Sequence, residues 1–220
     1  MSFKEEIVKV LDCAGDREII VVCDFDGTIT TSGSDVTMNA MAKFFGYDSE
    51  FAKERTALFE EYSKYLTEGD DMTRYKMQSK WWSAQMDLFR KYNVSPESYT
   101  NAGGKLNFEL RKDACDMLAF CDKNDIPVFI VSSGLGNIII PILAFSGNLS
   151  ANMRVIANFV RYDEDKPVSY TPVVTPMSKS AHLALELEPF DNYHAVVFGN
   201  EEADLAILPP ELCTTVLVND

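Results

Sequence analysis

Four short runs along the chain are almost continuously apolar and rich in β-branched residues: 18–25 (EIIVVCDF), 127–131 (PVFIV), 194–198 (HAVVF) and 214–218 (TTVLV). Such runs suit strands of a parallel sheet covered on both faces. A fifth strand is expected near 154–159. Between them, apolar residues recur at helical spacing over 111–123, 137–145 and 179–187. This strand–helix alternation predicts an α/β protein with a right-handed, doubly wound parallel sheet. Residues 161–171 (RYDEDKPVSYT) read as a hairpin or an excursion from it.

One interval breaks the rhythm. Roughly a hundred residues separate the first strand from Pro127, where a single crossover needs only a dozen or more. Within it, 35–45, 50–65 and 73–92 carry apolar residues at three- and four-residue steps. The pair Gly103-Gly104 marks a break before the next helix. The expected organisation is an α/β core of residues 1–31 and 106–220 with a helical insertion at 32–105. The insertion starts just past the first strand's carboxyl end, where it can cover that end. The chain has no internal repeats.

Composition narrows the setting. A chain of 220 residues, 46% hydrophobic, suits one core with a modest insertion. The longest apolar runs fall short of a membrane span, and the N-terminus (MSFKEEIVKVLDC) has helical spacing without a signal-peptide core. Five cysteines without CxxC pairing predict neither a zinc site nor a disulfide framework. A soluble, cytoplasmic protein is expected. The net charge of −14 argues against nucleic-acid polymers and anionic membranes as partners, although solubility is its commoner meaning. An anionic substrate would require the site to bring its own positive charge, from a divalent cation and a lysine.

Ligand sites in open α/β sheets form beyond the carboxyl ends of the strands. After the first strand stands Asp24-Phe25-Asp26-Gly27-Thr28, after the second Ser132-Ser133-Gly134, and after the third Gly199-Asn200-Glu201-Glu202-Ala203-Asp204. Asp24 and Asp26 alternate along extended chain, so both carboxylates face one way. They repel unless a cation binds them or one is protonated. Phosphoryl transfer uses both remedies: one carboxylate attacks phosphorus, and the other protonates the leaving oxygen. Gly27 permits the tight turn that follows.

Ser132 and Ser133, before a helix, suit phosphate binding or simple N-capping. Gly134-Leu135-Gly136 resembles the start of a dinucleotide fingerprint, but Ile139 stands where its third glycine would be. Lys179 opens a helix and could neutralise a transferring phosphoryl group. The loop GNEEAD offers oxygen ligands to a hard cation or simply starts a helix with acidic residues. His182 and His194 read as structural or solvent-facing.

In that order, DFDGT, IVSSG, Lys179 and GNxxxD resemble the haloacid dehalogenase superfamily of phosphatases. DIPVFIVSSGLGNIIIPIL and MRVIANFVRYDED are similar to the cytosolic pyrimidine 5′-nucleotidases (type III). The resemblance implies a Rossmann-like core with a C1-type helical cap and a bound Mg²⁺. It implies a small phosphate-ester substrate, a nucleoside 5′-monophosphate above others. Asp24 would be the nucleophile, Asp26 the general acid and base, and Lys179 the charge-neutralising cation. Gly27, Thr28, Ser132, Ser133 and Gly134 would bind the phosphoryl end, and Asp24, Asp26, Asn200 and Asp204 the metal.

Two positions depart from the family. Asn200 stands where it has a metal-binding aspartate, and Lys80 where its cap has a base-reading glutamate ahead of an aromatic pair, here Trp81 and Trp82. Adjacent helical residues point about 100° apart, so at most one tryptophan faces a pocket. Lys80 and Trp81 complete the expected substrate set. Other readings stay open: a phosphoserine-like phosphatase, a weakened binding protein on the same fold, or a receiver-type module, the last opposed by the insertion and by Asp26.

Overall fold

The computed structural model describes residues 2–103 and 106–219. The first helix, α1 (Phe3–Cys13), starts with a capping box in which the Ser2 side chain and Glu5 satisfy each other's backbone N–H groups. Strand β1 (Glu18–Cys23) follows, buried after its first residue. The next long stretch is helical: a 3₁₀ turn at Thr37–Asn39, then α2 (Ala40–Phe45), α3 (Glu50–Tyr62), a second 3₁₀ turn at Ser63–Leu66, α4 (Asp71–Lys91) and α5 (Pro96–Gly103). Gly104 and the expected boundary at 105 lie outside the described residues.

The chain returns through α6 (Lys112–Lys123), β2 (Val128–Leu135), α7 (Gly136–Phe145) and β3 (Met153–Asn158). An antiparallel hairpin, β4 (Val160–Asp163) with β5 (Lys166–Tyr170), fills the segment that the sequence left between hairpin and excursion. Then come α8 (Lys179–Leu187), β6 (Tyr193–Gly199), the one-turn α9 (Glu202–Leu205) and β7 (Cys213–Leu217).

The main sheet has the order β3-β2-β1-β6-β7, all parallel. Alternate residues of β1 feed two cores. Ile19, Val21 and Cys23 pack with Phe3, Ile7, Met117 and Leu143, from α1, α6 and α7. Ile20 and Val22 pack with Leu183 and Leu187 of α8. The sheet is therefore doubly wound, which explains its near-continuous apolar strands. The order reverses between β1 and β6, the switch point where ligand crevices form.

A third buried cluster joins Met41, Phe51, Trp82 and Phe89 of the inserted helices to Leu135 and Ile138. On α4 the buried stripe is Gln78, Trp82, Gln85, Met86 and Phe89, the spacing of one helical face. The insertion rests on the hairpin as well. Tyr170 packs edge-on to Trp82 with centroids 4.8 Å apart, Tyr162 donates to the Tyr99 hydroxyl at 3.0 Å, and Arg90 donates to the Pro167 and Val168 carbonyls. No helix among the described residues is long and apolar enough to cross a membrane.

Candidate active site

Strand β1 ends one residue earlier than the acidic pair, and its pairing with β6 continues through the Asp24 N–H, which donates to the Phe198 carbonyl at 3.1 Å. Phe25 is fully buried in the core, so Asp24 and Asp26 both turn to the other side. Gly27 then adopts φ 82°, and its N–H donates to Thr30 Oγ1 at 2.8 Å. A Cβ at Gly27 would lie 2.9 Å from Asn200 Nδ2, so glycine there lets the first and last loops touch.

A cavity of about 330 Å³ opens at this meeting point, lined by Asp24, Asp26, Gly27, Ser132, Ser133, Lys179, Asn200 and Asp204. Lys179, 8% exposed, stands at the start of α8 and donates to Asp24 Oδ1 and to Asp204 Oδ1, each at 2.7 Å. Its approach is fixed from behind. The buried Asn158 amide donates to the Ser133 and Val174 carbonyls, and its Oδ1 accepts from Val174 N–H, stapling the end of β3 to the loop before Lys179. Sequence reading missed Asn158. Its only signal is a polar residue closing an apolar strand.

The electrostatics are those of a cation-seeking site. Burial pushes the Asp24 carboxyl up to about 7; Lys179 pulls it down, and the Asp204 charge adds to the rise. Asp26 is also raised by burial, against the hydrogen bonds from Thr37 that favour its ionised form. Burial alone would lower Lys179, but Asp24 and Asp204 outweigh it and hold the ammonium above its ordinary value. Three carboxylates thus share one lysine, a balance that a divalent cation would correct.

Mg²⁺ usually binds through one or two carboxylates, with waters and substrate phosphate completing its shell. The residues fit that demand. Asp24 Oδ2 accepts no hydrogen bond among the described residues, since Lys179 takes Oδ1. Asn200 Oδ1 accepts from Thr28 Oγ1 at 2.9 Å, which leaves its second lone pair for a cation. No group of three or more His, Cys, Asp or Glu able to hold a metal exists among the described residues, so a cation would lean on water and phosphate.

Several expected positions fall elsewhere. Thr28 is fully buried and its hydroxyl orients Asn200 instead of facing the cavity. The second strand extends through Ser132 and Ser133 to Leu135, so the serines do not cap α7; Leu135 is its N-cap, without a side-chain bond. Ser132 Oγ accepts from Gly134 N–H at 3.0 Å, and Gly134 is buried beside it. Asp204 has its carboxylate on Lys179 and on the Glu201 N–H rather than free for a cation. Lys80 is exposed on α4, off its buried stripe. Trp81 lines a separate small cavity with Phe59, Tyr62, Leu66 and Gln78, and Trp82 belongs to the interior of the insertion. Neither Lys80 nor Trp81 is among the residues lining the cavity at Asp24.

Thr37, also missed, donates from its backbone N–H to Asp26 Oδ1 at 3.0 Å and from its hydroxyl to Oδ2 at 2.6 Å. Nothing in the local sequence marks it, because eleven positions separate it from Asp26 and only the fold closes the gap.

The fold is that of phosphatases of the haloacid dehalogenase type. A crystal structure of cytosolic 5′-nucleotidase IIIB bound to cytidine aligns with a TM-score of 0.69 at 19% identity, over 91% of this chain and 72% of that one. A phospho-aspartyl intermediate analogue of phosphoserine phosphatase aligns at 0.56 and 15% identity, over 87% and 82%. More specifically, the chain belongs to the pyrimidine 5′-nucleotidase (UMPH-1) family, whose sequence model matches residues 28–179, more than half its length. It is a phosphatase of that family.

Among curated relatives, the 7-methylguanosine phosphate-specific 5′-nucleotidase of Drosophila melanogaster is 22% identical over 219 residues, 92% of this chain and 68% of the relative. The protein of the same name in Mus musculus is 24% identical over 172 residues, 73% and 56%. The chain thus spans between about half and two thirds of the length of the curated relatives it matches.

Proposed function

We propose that this chain is a Mg²⁺-dependent phosphomonoesterase of nucleoside 5′-monophosphates that works through a phosphorylated Asp24. The observation that carries the proposal is the state of Asp24: one oxygen held by Lys179 at 2.7 Å, the other without a hydrogen-bond partner among the described residues, at a cavity shared with Ser132 and Asn200. In the first step an Asp24 oxygen forms a bond to phosphorus as the ester P–O bond breaks. The Asp26 carboxyl gives its proton to the leaving alkoxide. In the second, Asp26, now a carboxylate, takes a proton from water as the water oxygen attacks phosphorus and Asp24 is released. Lys179 and the Ser132 hydroxyl hold the phosphoryl oxygens.

Bound to Asp24, Asn200 and the Asp26 carbonyl, Mg²⁺ would neutralise charge on the phosphoryl group and relieve the crowding of carboxylates. The nucleotide assignment rests on the names carried by the family and its relatives; the exposed Lys80 leaves the choice of base open. The test is phosphate release from a panel of nucleoside monophosphates and phosphoserine with Mg²⁺. Asp24→Asn is expected to abolish it, and retained turnover in that variant removes the proposed nucleophile.

The reading also places the protein in the cytoplasm, in keeping with the free cysteines Cys13, Cys23, Cys115, Cys121 and Cys213. Recovery only in a membrane fraction would contradict it.

A further inference from the structure

Two polypeptide linkers join the insertion to the sheet, and they are bonded to each other. Asp35 N–H donates to the Asn107 carbonyl at 3.0 Å, Asn107 N–H donates to Asp35 Oδ2 at 2.6 Å, and Glu109 N–H donates to Ser34 Oγ at 2.9 Å. Thr37 begins the first helical turn beyond this zipped pair and is fully buried. Its side chain does no helix capping: the N-cap is Val36, without a side-chain bond.

The hydroxyl has one proton and two lone pairs. Leu135 N–H donates to it at 3.3 Å, from the end of β2, and its own proton is directed to Asp26 Oδ2. With the Thr37 N–H on Oδ1, both oxygens of one carboxyl are held by one residue of the insertion. The space is reserved as well. A Cβ at Gly134 would stand 2.0 Å from Thr37 Oγ1 and 3.0 Å from Asp26 Oδ2, so the approach requires glycine there.

We propose that Thr37 is a positioning residue for the hydrolysis: it sets the orientation of the Asp26 carboxyl and ties that orientation to the placement of the insertion over the sheet. The inference rests on the phosphatase reading above. Its chemical consequence is confined to proton transfer. As the ester P–O bond breaks, the Asp26 O–H proton moves to the leaving oxygen, and a carboxyl turned away cannot deliver it. A leaving group that departs as a stable anion needs no such proton. Loss of Thr37 should therefore impair turnover of poor leaving groups and spare good ones.

The experiment compares Thr37→Val and Thr37→Ser with the full-length wild type, in Mg²⁺, on uridine 5′-monophosphate, phenyl phosphate and 4-nitrophenyl phosphate. For the first two, Thr37→Val is expected to lower kcat by about tenfold to a hundredfold with KM changed less than about twofold, part of the roughly hundredfold to ten-thousandfold that a positioned acid contributes. For 4-nitrophenyl phosphate the fall should stay below about threefold, and Thr37→Ser should match the wild type within about threefold on all three. Should Thr37→Val fail to fold, Thr37→Cys, close in volume and a weak donor, takes its place with the same expectations.

An equal loss on all substrates, or a Thr37→Ser variant as poor as Thr37→Val, shows a structural role and overturns the inference. A wild type inactive on every substrate, or an active Asp24→Asn, instead overturns the phosphatase reading on which it stands.

Discussion

Replacing Lys179 with methionine probes the electrostatics of the site without any ligand. Lys179 bonds Asp24 and Asp204 at 2.7 Å each, with all three side chains 10% exposed. Removing one partner from a buried ion pair typically costs about 3–5 kcal/mol, because the remaining charge is left uncompensated. For a chain of this size each kcal/mol moves the melting temperature by about 2–4 °C, so a loss of roughly 10 °C is expected at pH 8.

The loss must depend on pH. Asp24 stands near 7 in the fold, above its ordinary 3.8, so the folded state binds that proton more tightly than the unfolded state. Stability from this group is therefore present at low pH and lost as pH rises from about 4 to 7. Without Lys179 the downward pull disappears, Asp24 rises further, and the loss deepens and extends to higher pH. Lys179 itself lies above its ordinary value and stays charged throughout, adding no slope of its own.

The gap between variant and wild type should thus be small at pH 5 and full at pH 8. Thermal unfolding followed by circular dichroism in a chelator measures it, and a repeat with Mg²⁺ should narrow it at pH 8. A gap equal at both pH values, or below about 3 °C at pH 8, would refute the claim that Lys179 compensates buried carboxylate charge.

Other substitutions address single contacts. Asn200→Asp adds a charge beside Asp24 and should tighten Mg²⁺ binding about tenfold by calorimetry, whether or not turnover changes; unchanged affinity would place the cation elsewhere. Trp82→Ala should destabilise by about 3–5 kcal/mol in denaturant titrations, since Trp82 is 1% exposed. Trp81→Ala should leave kcat/KM for nucleotides within about twofold, and a larger fall would bring its cavity into substrate binding. Gly134→Ala should lower turnover of poor leaving groups as Thr37→Val does, because its Cβ would stand 2.0 Å from Thr37 Oγ1; full activity would show that the hydroxyl can move aside without consequence.

Much of the sheet was legible because burial on both faces leaves an unmistakable trace. The runs around Val21, Ile130 and Val197 have nowhere polar to point, and each became a strand. The acidic pair was legible for a related reason: Asp24 is a charged residue placed where a buried strand stops, and the fold brings it to Lys179, the first residue of α8.

Features that depend on three-dimensional closure were not legible. Ser132 looked like the end of a strand before a cap, yet β2 continues to Leu135 through an irregular register with β3. Helix α5 escaped the periodicity reading, although Pro96 at its first position is a start signal. Lys80 and Trp81 were placed by motif position alone, and a one-residue step on α4 turns Trp81 away from the stripe that holds Trp82. Thr37 acts through a partner eleven positions away and carries no local mark, and Asn158 is marked only as a polar residue that closes an apolar strand.

Asp24 as the atom donor to phosphorus is open to one direct measurement. Protein mixed with a phosphorus-labelled nucleotide and Mg²⁺, quenched in acid within milliseconds and digested, should yield a single labelled peptide. It should contain Asp24, and hydroxylamine should release the label, as befits an acyl phosphate. Label on any other residue, or substrate consumed with no labelled peptide at any quench time, would contradict the assignment.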